Sequence, residues 1–96
     1  MEDRLYRTAV NRYGKQAQLI VAVEELAELQ KEITKHLRGE NNQEHITEEI
    51  ADVEIMLEQV KMMCDINESQ ITVWKKRKRE RLKKKLEDDC YVSGRS

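Results

Sequence analysis

The chain has no proline and no phenylalanine, only three glycines among its 96 residues, and two cysteines. Without proline and with so little glycine, few punctuators interrupt secondary structure, and the residues that remain in quantity (Ala, Leu, Glu, Lys, Gln, Arg) favour helix nearly throughout. Cys64 falls on an apolar helical stripe and Cys90 near the end, with no CxxC between them. That excludes a disulfide framework and predicts a reduced, cytoplasmic setting. No apolar run reaches membrane length and no signal-peptide core is legible, so no membrane association is expected. A Gly-rich phosphate loop is absent, which excludes a P-loop nucleotidase. His36 and His45 have no Cys or second His close by in sequence, which argues against a zinc site.

Charge is what the chain has in excess: 39% of it is Asp, Glu, Lys or Arg, at a net charge of only −1. The near-neutral total conceals a division. Residues 1–70 hold 15 acids against 8 Lys/Arg, and residues 71–96 hold 4 acids against 10. An acidic front and a basic back can pair with each other or present opposite charges to one ligand.

Four helices follow from periodicity and breakers. The first spans about 2–13 and stops at Gly14. The second spans about Lys15–Leu37, with Leu19, Val23, Leu26, Ile33 and Leu37 recurring at alternating 3/4 spacing. The loop RGENNQ (Arg38–Gln43) separates it from a third helix, about Glu44–Cys64. There Ile46, Ile50, Val53, Leu57, Val60 and Cys64 keep the same spacing, while Ala51, Ile55 and Met62 lie on another side. A helix apolar on two sides wants two neighbours. The expected fold is therefore an all-α bundle of about four helices whose core is completed by self-association, as a homodimer or homotetramer. Asp65 or Asn67 is placed to cap a fourth helix over about Glu68–Leu86. The domain is expected to cover 1–88, with 89–96 a loose tail.

Two segments carry the candidate chemistry, EELAELQKEI (Glu24–Ile33) and EEIADVEIML (Glu48–Leu57). Each sets two acids at i, i+3: Glu25 with Glu28, and Glu49 with Asp52. Side chains three apart on a helix are neighbours, and like charges there repel by a few tenths of a kcal/mol. The plain reading is a solvated acidic face. On a wheel of ~100° per residue, Glu28 lies opposite the apolar stripe and Glu25 at its border, which suits that reading. Glu49, however, sits only about 60° from the stripe centre of its helix, with Asp52 further along that flank. Acids that close to apolar neighbours need a partner, a proton or a metal. A short loop makes the second and third helices antiparallel and brings both pairs toward one region.

Glu25-x-x-Glu28 followed twenty residues later by Glu49-x-x-Asp52 resembles the signature of the MazG-like family, all-α nucleoside triphosphate pyrophosphohydrolases related to the dimeric all-α dUTPases. The doubled acids Glu24-Glu25 and Glu48-Glu49, YGKQAQL before the first motif, the HLRGEN loop and IADVEIMLEQV agree with it. The resemblance covers roughly residues 12–82. It implies Mg²⁺, with Mn²⁺ as a substitute, held by Glu25, Glu28, Glu49 and Asp52. It also implies cleavage of a (d)NTP to (d)NMP and pyrophosphate, in the service of nucleotide-pool sanitation. Glu24 or Glu28 is then the acid nearest the attacking water, and Gln18 a candidate nucleotide contact.

Nine of the eleven residues Lys75–Lys85 are Lys or Arg. The commonest meaning of such a run is a solvated face. The resemblance implies substrate phosphate contacts at Lys75, Lys78 and Arg81. The rival reading is a non-enzymatic helical oligomer that binds nucleic acid through 75–85. Trp74, which begins the run, is expected to pack, with base stacking as the lesser alternative.

Overall fold

The computed structural model describes residues 2–92 and is all-α. Four helices follow one another: α1 (Glu2–Tyr13), α2 (Lys15–Leu37), α3 (Gln43–Met63) and α4 (Glu68–Val92), with no strand among the described residues. The chain divides into two compact units, 1–65 and 66–96. α1, α2 and α3 make the first; α4 makes the second.

The helix ends follow local chemistry. Gly14 separates α1 from α2 at φ 94, ψ 148, a region essentially closed to residues with a Cβ. At the other end of α2, Gly39 takes φ 93. Its N–H donates to the His36 carbonyl at 2.9 Å, and Glu40 N–H donates to the Lys35 carbonyl at 3.1 Å. This is a Schellman cap, and the left-handed glycine lets the chain reverse into α3. Asp65 turns the chain after α3 at φ 54 without the help of a glycine. Of the two residues expected to cap α4, Asn67 does so: its Oδ1 accepts from Ser69 N–H at 2.8 Å and from Ser69 Oγ at 2.7 Å. The helix then continues through residues 87–92, beyond the expected end at Leu86, because no breaker interrupts it. Residues 89–92 of the expected tail are thus helical; 93–96 lie outside the described residues.

In the first unit α2 and α3 pair as an antiparallel hairpin, with α1 against both. Two hydrogen bonds fix its register. Gln18 Nε2 donates to Gln59 Oε1 at 2.7 Å near the start of α2, and Asn42 Nδ2 donates to Glu32 Oε1 at 2.7 Å near its end. Between the helices lie Ala22, Val53, Met56 and Met63, together with the buried polar residues Gln18, Glu32, Asn42 and Gln59. The contact layer is thus as polar as it is apolar.

The stripe read from the α2 sequence does not fill this layer. Val23, Leu26, Ile33 and Leu37 are all exposed, Leu37 by 79%. By the helical period their line sits about 95° around α2 from that of Gln18, Ala22, Glu25, Leu29 and Glu32, which faces α3. On α3, Ile50 and Leu57 are displaced by a similar angle from Val53, Met56, Gln59 and Met63, and both are exposed. Because the helices run antiparallel, equal rotations in the same sense bring both sets to one side of the hairpin. The hairpin therefore has an open apolar side, and Glu24, Glu28 and Glu48 lie on the other.

Candidate metal centre

With Gln18 opposite Gln59 and Glu32 opposite Asn42, the residue midway along α2 meets the residues midway between the partners. Glu25 thereby comes opposite Glu49 and Asp52. Their carboxylates converge: one oxygen from each of Glu25, Glu49 and Asp52 lies within 4.8 Å of the others. All three side chains are half-buried. The amide bond on one side and the Asn42–Glu32 bond on the other hold the hairpin about two turns away in each direction.

The electrostatics are those of crowded anions. The Glu25 carboxyl is pushed above the ordinary value of 4.5, first by burial, then by a hydrogen bond with Asp52 and by the negative charges of Asp52, Glu49 and Glu28. The Glu49 carboxyl is also raised, first by burial and then by Asp52, Glu28, Glu48 and Glu32. Its Oε2 is buried and has no hydrogen-bond partner. A buried carboxylate oxygen without a donor is costly, since removal from water is uncompensated. Every neighbour it has in the cluster is another acceptor, so no rearrangement of these side chains satisfies all of them as anions. Protons or a cation can.

A hard divalent cation suits the donor set. Mg²⁺ takes oxygen ligands at about 2.0–2.1 Å in an octahedron, which places neighbouring ligand oxygens about 3 Å apart and opposite ones about 4.2 Å apart. Three carboxylate oxygens within 4.8 Å need only a small inward adjustment to share one ion. The remaining positions would be left to water or to a ligand's oxygens, as Mg²⁺ generally keeps them.

The other sequence-predicted residues divide into three groups. Glu28 is exposed on the solvent side of the cluster; it is not among the three converging acids, though its charge raises both Glu25 and Glu49. Glu24 is exposed on the same side of α2. Gln18 is buried, with its amide donating to Gln59. Lys75, Lys78 and Arg81 are exposed along α4, in the second unit.

Sequence reasoning missed Glu32, Asn42 and Gln59. Glu32 is buried and its carboxyl is held below the ordinary range, first by the Asn42 hydrogen bond and then by Lys35, whose Nζ lies 3.4 Å away. Asn42 Nδ2 also donates to the Glu32 carbonyl at 2.9 Å. The usable signal was the seven-residue step from Gln18 to Glu25 to Glu32, which returns to the same helix face every two turns. Comparisons of the chain with protein-family models, with curated proteins and with solved structures found no match.

Proposed function

We propose that this chain is a Mg²⁺-dependent nucleoside triphosphate pyrophosphohydrolase, converting a (d)NTP and water to a (d)NMP and pyrophosphate. The observation that carries the reading is the convergence of the Glu25, Glu49 and Asp52 carboxylates, one of which, Glu49, has a buried Oε2 without a hydrogen-bond partner. Three hard oxygen donors in a half-buried site are what a divalent cation needs, and a triphosphate cannot approach such a site without one. The resemblance of the two acidic motifs to the MazG-like family adds the reaction type.

Glu25, Glu49 and Asp52 would hold Mg²⁺, with Glu28 at the rim. The cation, when bound, supplies charge neutralisation for the polyphosphate oxygens and fixes their position. Glu28 or Glu24, exposed beside the cluster, takes the role of orienting the water that attacks the α-phosphorus and accepting its proton. The bond to the bridging oxygen breaks in line, and pyrophosphate leaves with those electrons. Lys75, Lys78 and Arg81 carry the family-implied role of phosphate contacts. Removal of surplus or unwanted nucleotides is the physiological task this reading implies.

The active form on this reading is a homodimer or larger. Support comes from the open apolar side of the hairpin, where Val23, Leu26, Ile33, Leu37, Ile50 and Leu57 are each 43% or more exposed. Contiguous apolar surface of that kind is what association between copies covers.

The test is incubation of the purified protein with each NTP and dNTP in Mg²⁺, reading nucleoside monophosphate and pyrophosphate by ³¹P NMR. Glu49→Gln and Asp52→Asn are expected to abolish turnover while leaving the helical circular dichroism unchanged. Absence of pyrophosphate from every nucleotide overturns the proposal, as does full turnover by either variant.

A further inference from the structure

The basic stretch of α4 has a geometry that a phosphate clamp of three cations does not use. Residues 75–85 carry nine Lys/Arg and one acid, Glu80, for a net charge of +8. All eleven are exposed on one uninterrupted helix. At 1.5 Å per residue they span about 16 Å, close to one excess positive charge per 2 Å. Double-stranded DNA carries one negative charge per about 1.7 Å of its axis. The two linear charge densities are nearly equal and opposite.

The cations also encircle the helix. Taking 100° per residue, Lys75, Lys76, Arg77, Lys78, Arg79, Arg81, Lys83, Lys84 and Lys85 leave no gap wider than about 80°. A helix that lies on a flat anionic surface has its cations on one face and apolar residues on the other. This stretch lacks that division, since Leu82 is its one apolar residue. A ring of charge is matched instead by phosphates on two facing walls. The major groove of B-form DNA is about 12 Å wide and admits an α-helix of about 10–12 Å.

Among the described residues none of the nine cations has a salt-bridge partner. Like-charged neighbours at i, i+3 and i, i+4, such as Lys75 with Arg79 and Arg77 with Arg81, repel along the helix. At its start Trp74 is half-exposed and lies beneath Arg77 and Lys78, with the two charges 5.2 Å and 5.8 Å from the ring centre. That contact steadies two of the nine cations and leaves them charged.

We infer that α4 is a duplex-DNA-binding helix, lying in the major groove and contacting the phosphates of both walls through the cations of Lys75–Lys85. The contacts assigned are to phosphates, which position a protein without reading bases. A single-stranded ligand is disfavoured because stacking platforms use successive aromatics, and Trp74 stands alone between Glu68 and Lys85.

The experiment uses the full chain with a fluorescent 20-base-pair duplex, following anisotropy from about 50 to 200 mM KCl, a range over which six or so phosphate contacts cost roughly 10³-fold in affinity. Arg79, Lys83 and Lys84 lie outside the set assigned to triphosphate contact. Changing all three to Gln keeps helix propensity and is expected to lower the salt slope by about 3, at 0.9 per lost contact. Lys83→Arg with Lys84→Arg should retain both affinity and slope, which separates lost charge from a damaged helix. The inference is overturned by no binding at the lowest salt or by an unaltered slope in the triple Gln variant. Binding of single-stranded DNA of equal length, or of phosphatidylcholine–phosphatidylserine vesicles, as tightly as the duplex overturns it too.

Discussion

Replacing Leu26 and Ile33 by Asp tests whether the open side of the hairpin is an interface. Both are exposed, Leu26 by 48% and Ile33 by 46%, so the chain can accept the charges without loss of its own core. Full burial of a Leu or Ile side chain is worth about 1.5–3 kcal/mol, so covering one that is already half-buried is worth about 1 kcal/mol. Six such side chains per copy, from Val23 to Leu57, supply roughly 12 kcal/mol to a symmetric pair by the same scale. Association costs on the order of 4–15 kcal/mol, so a dimer that forms near micromolar concentration follows where that cost lies at the low end of the range, and not an unbreakable one. A symmetric interface contains each substituted position twice. The double variant thus forfeits about 4 kcal/mol before any charge repulsion, a roughly 10³-fold weaker dissociation constant. Sedimentation velocity over about 1 to 100 µM should show the wild-type chain as a dimer or tetramer and the variant as a monomer of equal helicity. A wild-type chain that stays monomeric throughout, or a variant that associates as the wild type does, refutes the reasoning.

Glu49→Gln should weaken Mg²⁺ binding by at least 10–100-fold, the range seen when even outer-shell partners of a metal are removed; calorimetric titration with equal affinities for both proteins would remove Glu49 from the site. Without added cation, the raised carboxyls of Glu25 and Glu49 make folding favour their protonated forms. Their penalty is present at neutral pH and relieved as pH falls through the raised values. Glu32 acts oppositely: its depressed carboxyl contributes stability above 4.5 that is lost as pH falls through the folded value. The metal-free melting temperature should therefore peak on the acid side of neutrality, between these two effects, and Mg²⁺ should raise it most at the alkaline end; a profile that falls steadily from neutral pH downward, unchanged by Mg²⁺, contradicts this. Gly39→Ala forces a Cβ into φ 93 and should cost about 1 kcal/mol, read from chemical denaturation midpoints; an unchanged midpoint would show that the Schellman turn tolerates it.

Helix number and most boundaries were legible because breakers and caps act locally. Gly14, Gly39 and Asn67 each decide an end through their own backbone or side chain. Which face of α2 meets α3 was not legible, because the strongest apolar stripe is not the face that packs within the hairpin. Hydrophobic periodicity marks an apolar face and does not say what, if anything, packs against it. Measured from the wrong stripe, Glu25 looked like a border residue and Glu28 like one opposite it, and only their i, i+3 spacing paired them. Measured from the line of Gln18, Ala22, Glu25, Leu29 and Glu32, Glu25 is central and Glu28 is peripheral. The carboxylate cluster itself was anticipated because the two motifs sit at similar distances from a short loop, so antiparallel pairing alone brings them level. The amide pair and the Glu32–Asn42 bond went unseen, since each partner is an ordinary helix or loop residue until the register is known.

The polar hairpin layer explains why these features occur together. Among the described residues Ala22, Val53, Met56 and Met63 are the buried apolar ones, too few to hold three helices firmly. An apolar substitute for Glu25, Glu49 and Asp52 would remove repulsion and add burial, as replacement of buried charge by packed hydrophobic groups often does. Glu25→Leu with Glu49→Leu and Asp52→Leu should accordingly raise the metal-free stability at neutral pH while eliminating cation binding. Differential scanning calorimetry with and without Mg²⁺ distinguishes the outcomes: a stabilised, Mg²⁺-insensitive variant means that the acids are held against folding stability for the sake of a ligand. A destabilised one means that they are structural, and the metal proposal loses its physical basis.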